Sequence, residues 1–212
     1  TTIGGIGTVA GSTDLSSSAA ASNVTGGAFA TGTLTSAEGL DLNATLDVAS
    51  DASVSGTASI NSSADAATTA GKADADATST TITGADLAGG IVDVGGIGSI
   101  AGQANFGLSA TSSNVSQTSE ADAGSTTATG LIGKTTAIDG TFGIDVASDS
   151  GLSGMAIGSL AADASSTAGA ATATAGAADS AIGAQLPSLN VGGISNLTGA
   201  AQLDTSATAS NV

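Results

Sequence analysis

From Leu40 to Ala66 the chain alternates without interruption. Even positions are small or apolar, among them Leu46, Val48, Val54, Ala58, Ile60 and Ala64, whereas Asp41, Asn43, Thr45, Asp47, Asp51 and Asp65 take odd positions. A period of two is the signature of a strand with one buried and one wet face. At about 3.3 Å per residue such a stretch would reach roughly 90 Å, far beyond an ordinary strand. It must therefore turn corners without losing phase, as in a β-solenoid, or be divided by tight turns at 49–51 and 147–149 and at glycines. The inward residues are small. Ala, Gly, Ser and Thr number 45, 32, 31 and 30 of 212, and there are three Phe and no Trp or Tyr. A β-sandwich spaces its sheets about 10 Å apart and fills the gap with large side chains. The expected fold is thus all-β, a repetitive β-solenoid or closely stacked β-sheets with a small-residue core. The alternative is a tandem array of β-sandwich repeats of about 95 residues.

The same parity returns in the second half, with Ile138, Phe142, Ile144, Val146, Leu152, Ala156 and Leu160 inward and Asp139, Asp145, Asp149 and Asp163 outward. It switches near Gly71 and Gly169, where a glycine at a change of phase predicts a corner or bulge. Alanine favours helix, yet the alternation and the β-branched and glycine content confine that option to Ala161–Ala178.

Sliding the chain over itself exposes repeats. Gly4-Gly5-Ile6-Gly7 recurs as Gly95-Gly96-Ile97-Gly98 and opens again at Gly192-Gly193-Ile194, at offsets of 91 and 97, and each copy runs on to Asn-Val at Asn23, Asn114 and Asn211. A second block around Asp47 and Asp51 matches Asp145 and Asp149 at an offset of 98, so about seven residues are inserted between Val115 and Ile144. The chain divides into repeat one (1–94), repeat two (95–191) and the start of a third (192–212), a segment suited to docking on another subunit. It begins at Thr1 without a leader pattern, as a processed or excerpted chain would.

Chemistry is constrained by what is missing. Without His, Cys, Tyr or Arg there is no imidazole base, thiolate or soft metal ligand, and the expectation is no enzyme and no organic cofactor. The net charge is −16 with only Lys72 and Lys134 basic, which argues against nucleic acid and anionic membrane surfaces. No apolar run reaches 18 residues, and three Phe cannot supply aromatic girdles, so no membrane insertion is expected. Asp47, Asp51, Asp145 and Asp149 gather on one predicted outward face. They suggest a Ca²⁺ site, against the simpler reading of a solvated acidic face that discourages aggregation. The pair Asp74 and Asp76 has Thr172 and Thr174 at the repeat offset and so suggests no repeated site. Asn-x-Ser/Thr sequons occur at Asn23, Asn43, Asn61, Asn114 and Asn196, candidates for glycans, although a chain this rich in Ser and Thr produces sequons by composition alone.

The alternation, the Gly-Gly-Ile-Gly starts and the composition over the whole chain resemble, at class level, the repeat regions of secreted bacterial or archaeal β-rich surface fibres and large adhesins. There is also some similarity to functional amyloids, without their Gln/Asn ladders. The resemblance implies an extracellular or cell-surface location and a structural role as subunit of a self-assembling filament, stalk or matrix fibre. Other readings are an adhesin spacer or binding module, or an ice-binding solenoid built on a Thr array such as Thr31, Thr33 and Thr35. The expected partner is the chain itself, head to tail, with Ile194, Leu197, Ala201 and Leu203 at the contact.

Overall fold

The computed structural model describes residues 1–89, 91–132, 144–176, 181–186 and 189–212, and every regular element in it is a β-strand. The first coil contains β1 (Thr2–Ile3), β2 (Gly7–Asn23) and β3 (Ala28–Asp41); the second contains β4 (Thr45–Val48), β5 (Ala52–Thr68) and β6 (Ala73–Asp86). The third has β7 (Ile91–Val94), β8 (Gly98–Asn114) and β9 (Ser119–Ile132). The fourth has β10 (Ile144–Val146), β11 (Ser150–Ser166), β12 (Ala171–Ala175) and β13 (Ala181–Gln185), and β14 (Leu189–Val191) and β15 (Ser195–Asn211) belong to a fifth. Each strand pairs in parallel with its counterpart one coil away, giving three parallel sheets: a short one from β1 to β14, a long one from β2 to β15, and a third from β3 to β12, with β13 also on β9. The fold is a β-solenoid. Parallel pairing throughout overturns the sandwich alternative, which requires antiparallel sheets.

The register Gly7↔Ala52↔Gly98↔Ser150↔Ser195 defines the coil. Each sequence repeat therefore spans two coils, and the extra residues of the second repeat fall within 133–143, which lie outside the described residues together with the inward assignments of Ile138 and Phe142 and the outward one of Asp139. Corner chemistry explains the doubling. Before the long sheet the corners alternate between Gly-Gly-Ile (4–6, 95–97, 192–194) and Ala-Ser-Asp (49–51, 147–149). Asp51 Oδ1 accepts the Ile97 N–H at 2.9 Å from the next coil, and Asp149 Oδ1 accepts that of Ile194 at 2.8 Å. A Cβ on Gly96 or Gly193 would stand 2.3 Å from those carboxylate oxygens, so an Asp corner imposes glycine on its successor. The corners after the long sheet alternate too, with Asn23 and Asn114 in one coil type and Thr68 and Ser166 in the other.

Parity follows the sequence reading. In β5 the even positions from Ala52 to Thr68 are buried, and beyond Gly71 burial passes to Ala73, Ala75 and Ala77. Residues 161–166 and 171–175 are strand, which overturns the helical option for Ala161–Ala178 over its described part.

The interior has two lobes. One lies under the short sheet, where Leu46, Val48, Val92, Val94, Ile144 and Val146 meet Val54, Ile100 and Leu152 of the long sheet and Leu87 and Leu131 beyond. The other lies between the long and third sheets and is mostly alanine around Ile60, Ile82, Phe106, Leu108 and Leu160. A glycine waist separates them. A Cβ on Gly56 would meet the Gly84 carbonyl oxygen at 2.1 Å, and one on Gly84 would meet the Gln103 backbone nitrogen at 2.2 Å. Gly102 against Gly130 and Gly154 against Gly183 repeat the contact, so the sheets touch backbone to backbone there. In the alanine lobe the gap is small enough for Ser62 Oγ to donate to the Gly32 carbonyl at 2.8 Å and Ser112 Oγ to that of Ala73 at 3.0 Å, which satisfies buried hydroxyls.

Candidate functional site

A parallel solenoid stacks equivalent residues at about 4.8 Å, so its outer faces are ladders of like side chains and its ends are open strand edges. On the short sheet Asp47, Asp93 and Asp145 form one outward column that continues to Asn190, whose Nδ2 donates to Asp145 Oδ1 at 3.0 Å. Burial and the neighbouring charges of Asp145 and Asp47 raise the Asp93 carboxyl above its ordinary value. On the third sheet Asp74 stacks on Glu120 and Asp76 on Asp122. Lys72 Nζ lies 2.9 Å from Asp74 and 2.8 Å from Glu120, clamping two coils, and these bonds hold its own protonation well above the usual lysine range. Asp76 and Asp122 are raised, first by desolvation and then by the surrounding carboxylates.

The four Asp residues read as a Ca²⁺ group do not converge. Asp47 and Asp145 are two rungs apart with Asp93 between them, while Asp51 and Asp149 sit at corners and each holds a neighbouring N–H. Among the described residues no group of three or more acidic, His or Cys side chains is arranged to hold a metal. The carboxylates that do stack, Asp74 with Glu120 and Asp76 with Asp122, escape a comparison made at the two-coil offset. A Thr array is interrupted in the same sheet: Thr31 is followed in its column by Asp76 and Asp122, although Thr33 and Thr78 hydroxyls meet at 3.3 Å.

The sequons divide. Asn61 and Asn196 lie exposed on the long sheet, and Asn43 donates to Asp41 at 2.8 Å on the surface. Asn114 is 5% exposed, and its amide donates to the carbonyls of Gly71 and Thr118 while Oδ1 accepts the N–H groups of Ser116 and Gln117. That amide is a corner brace, and a glycan there would break it. Asn23 makes the equivalent turn in an exposed edge coil, with Oδ1 accepting the Thr25 N–H at 3.2 Å.

The outer face of the long sheet is low and hydroxyl-rich. Its shallow depression at Gly107, bordered by Asn61, Ser63, Ser109 and Ser159, holds no titratable side chain. The remaining surfaces of consequence are the coil edges. β2 pairs only with β5, and β15 only with β11, among the described residues. On β15, Leu197 and Ala201 stand in the inward columns of Leu152 and Ala156 yet are exposed, Leu203 packs partly on the alanine lobe, and Ile194 sits at the corner, 78% exposed. No known protein family, curated protein or solved structure matches this chain.

Proposed function

We propose that the chain is a structural element of an extracellular or cell-surface filament, stalk or matrix fibre, non-catalytic, lengthened by coils added at its edges and able to associate with itself head to tail. The observation that carries this reading is the ladder of 17-residue strands β2, β5, β8, β11 and β15, paired in parallel and in register, whose outermost members β2 and β15 are each bonded along one side only among the described residues. Such an edge offers backbone N–H and C=O groups to an incoming strand of the same pitch, and the joint does not close on itself. At the β15 edge, covering Leu197, Ala201 and Leu203 adds apolar burial. The acidic columns, within a net charge of −16, keep fibre sides apart.

Negative-stain microscopy of the purified protein tests this directly. Rods joined end to end are expected, and deletion of residues 192–212 should shorten them while the β circular-dichroism spectrum persists. Monodisperse particles at every concentration, or a truncated chain that polymerises as well as its parent, would overturn the reading.

A further inference from the structure

We propose that the outer face of the long sheet pairs with the same face of a second copy of this chain, about a two-fold axis parallel to the solenoid axis. Exposed aliphatic side chains mark both edges of that face. In the third coil, which has coils on either side of it, Ile97 just before β8 is 53% exposed and Val115 just after β8 is 49% exposed. Between these edges the surface is low, and three shallow depressions open on it, beside Val115, at Gly107 and between Thr57 and Met155. Its carboxylates, Asp14, Asp65, Asp163 and Asp204, never occupy adjacent rungs of a column, unlike those of the other two sheets. The face is also large enough. At about 3.3 Å per residue and 4.8 Å per coil, 17 residues by five coils present roughly 1,000 Å² per copy, more than the about 800 Å² per partner of a standard stable interface.

This two-fold sets every strand of the sheet against its own reverse, about the midpoints Leu15, Ile60, Phe106, Gly158 and Leu203. Ile97 then meets Val115 of the partner subunit, so the two exposed edges cover each other. Large side chains meet small ones, Met155 against Ala161 and Asn105 over the depression at Gly107. Asp14, Asp65, Asp163 and Asp204 meet Ser16, Ser55, Ser153 and Gln202, so each carboxylate faces a hydroxyl or amide donor and none faces another carboxylate. The other two-fold in this plane, parallel to the strands, sets Asp65 directly against Asp163, a like-charge contact that disfavours it. The isologous pair leaves the acidic columns of the short and third sheets outward. It also leaves both coil edges free, and it stands whether or not copies join end to end.

Cysteine cross-linking of the full chain tests the geometry, because the chain has no cysteine of its own. An equal mixture of Ile97→Cys and Val115→Cys chains should give an oxidised dimer on a non-reducing gel. Either chain alone should not, since its cysteine lies at the far edge of the partner's. End-to-end joining holds third coils apart and cannot produce this pattern. Sedimentation velocity at about 0.15 M salt reads the charges. Ser153→Asp sets a carboxylate against Asp163 twice in each dimer and should raise the dissociation constant about tenfold or more, whereas Ser153→Lys, facing the same Asp163, should lower it. No cross-link in the mixture, equal cross-linking by the single chains, or Asp and Lys variants that associate alike would overturn the pairing. Should a cysteine chain lose its β circular-dichroism spectrum, the two Ser153 variants, at an exposed outward position, decide the matter.

Discussion

Phe106 illustrates how a core of small residues tolerates a large one. Its column through the alanine lobe reads Leu15, Ile60, Phe106, Gly158 and Leu203, and a Cβ on Gly158 would lie 1.9 Å from the Phe106 ring. The ring occupies the space its neighbour leaves, so the two positions share one volume. Phe106→Ala should cost about 3–5 kcal/mol, and Gly158→Ala about 1–3 kcal/mol by overpacking. Because the clash exists only with the ring present, Gly158→Ala should be less harmful in a Phe106→Leu background, and denaturant melts of the four chains measure that coupling. Additive effects would show that the ring moves aside freely. The waist gives no such freedom. The atoms facing a Cβ on Gly84 are backbone of β8, so Gly84→Ala should cost about 3 kcal/mol or more; a melting curve equal to the parent's would mean that the sheets separate there without penalty.

At the scale of elements the ladders set like charges 4.8 Å apart, and the column Asp47–Asp93–Asp145 concentrates the effect at its middle member. Asn190 already relieves one end of that column by donating to Asp145. Asp93→Asn extends the same device, and at neutral pH it should stabilise the fold by a few tenths to about 1 kcal/mol, the range of exposed cross-strand charge pairs. A lower melting temperature would contradict the electrostatic account. Lys72 does the opposite work on the third sheet, and Lys72→Met should destabilise by about 0.5–1 kcal/mol, since its partners are part-exposed. Strand parity, the corner glycines and the solenoid itself were legible in the sequence because a period of two is a local signal. Coil length was not. Alternating corner types lock self-comparison onto two coils, which hides Glu120 behind Asp74 and makes Asp51 and Asp149 look like surface ligands when they bond the next coil. The waist was hidden for another reason: in a chain with 32 glycines, the column Gly11, Gly56, Gly102, Gly154, Gly199 stands out only once the coil register, with its unequal steps of 45, 46, 52 and 45 residues, is known.

For the whole molecule, stability is a sum of coil-to-coil terms along one axis, so any group that each coil repeats acts on the stack as a unit. The raised carboxyls of Asp76, Asp93 and Asp122 lie on two neighbouring coils, and their sign is opposite to that of a paired aspartate. In the unfolded chain each titrates at its ordinary value, and in the folded coil burial and neighbouring carboxylates favour the protonated form. The folded state therefore binds more protons between the two values, and stability falls as pH rises through that window. Lowering the pH from 7 into the range just above the ordinary aspartate value should raise the melting temperature, and the shrinking net charge acts in the same direction. The Lys72 clamp does not offset this, because its elevated protonation is lost only in strongly alkaline solution. Thermal melts between pH 7 and 4.5 measure the effect, and the triple variant Asp76→Asn, Asp93→Asn, Asp122→Asn separates the two contributions. The variant should start more stable at pH 7 and gain less on acidification. A parent whose melting temperature falls steadily over this range would overturn the account of the stacked columns.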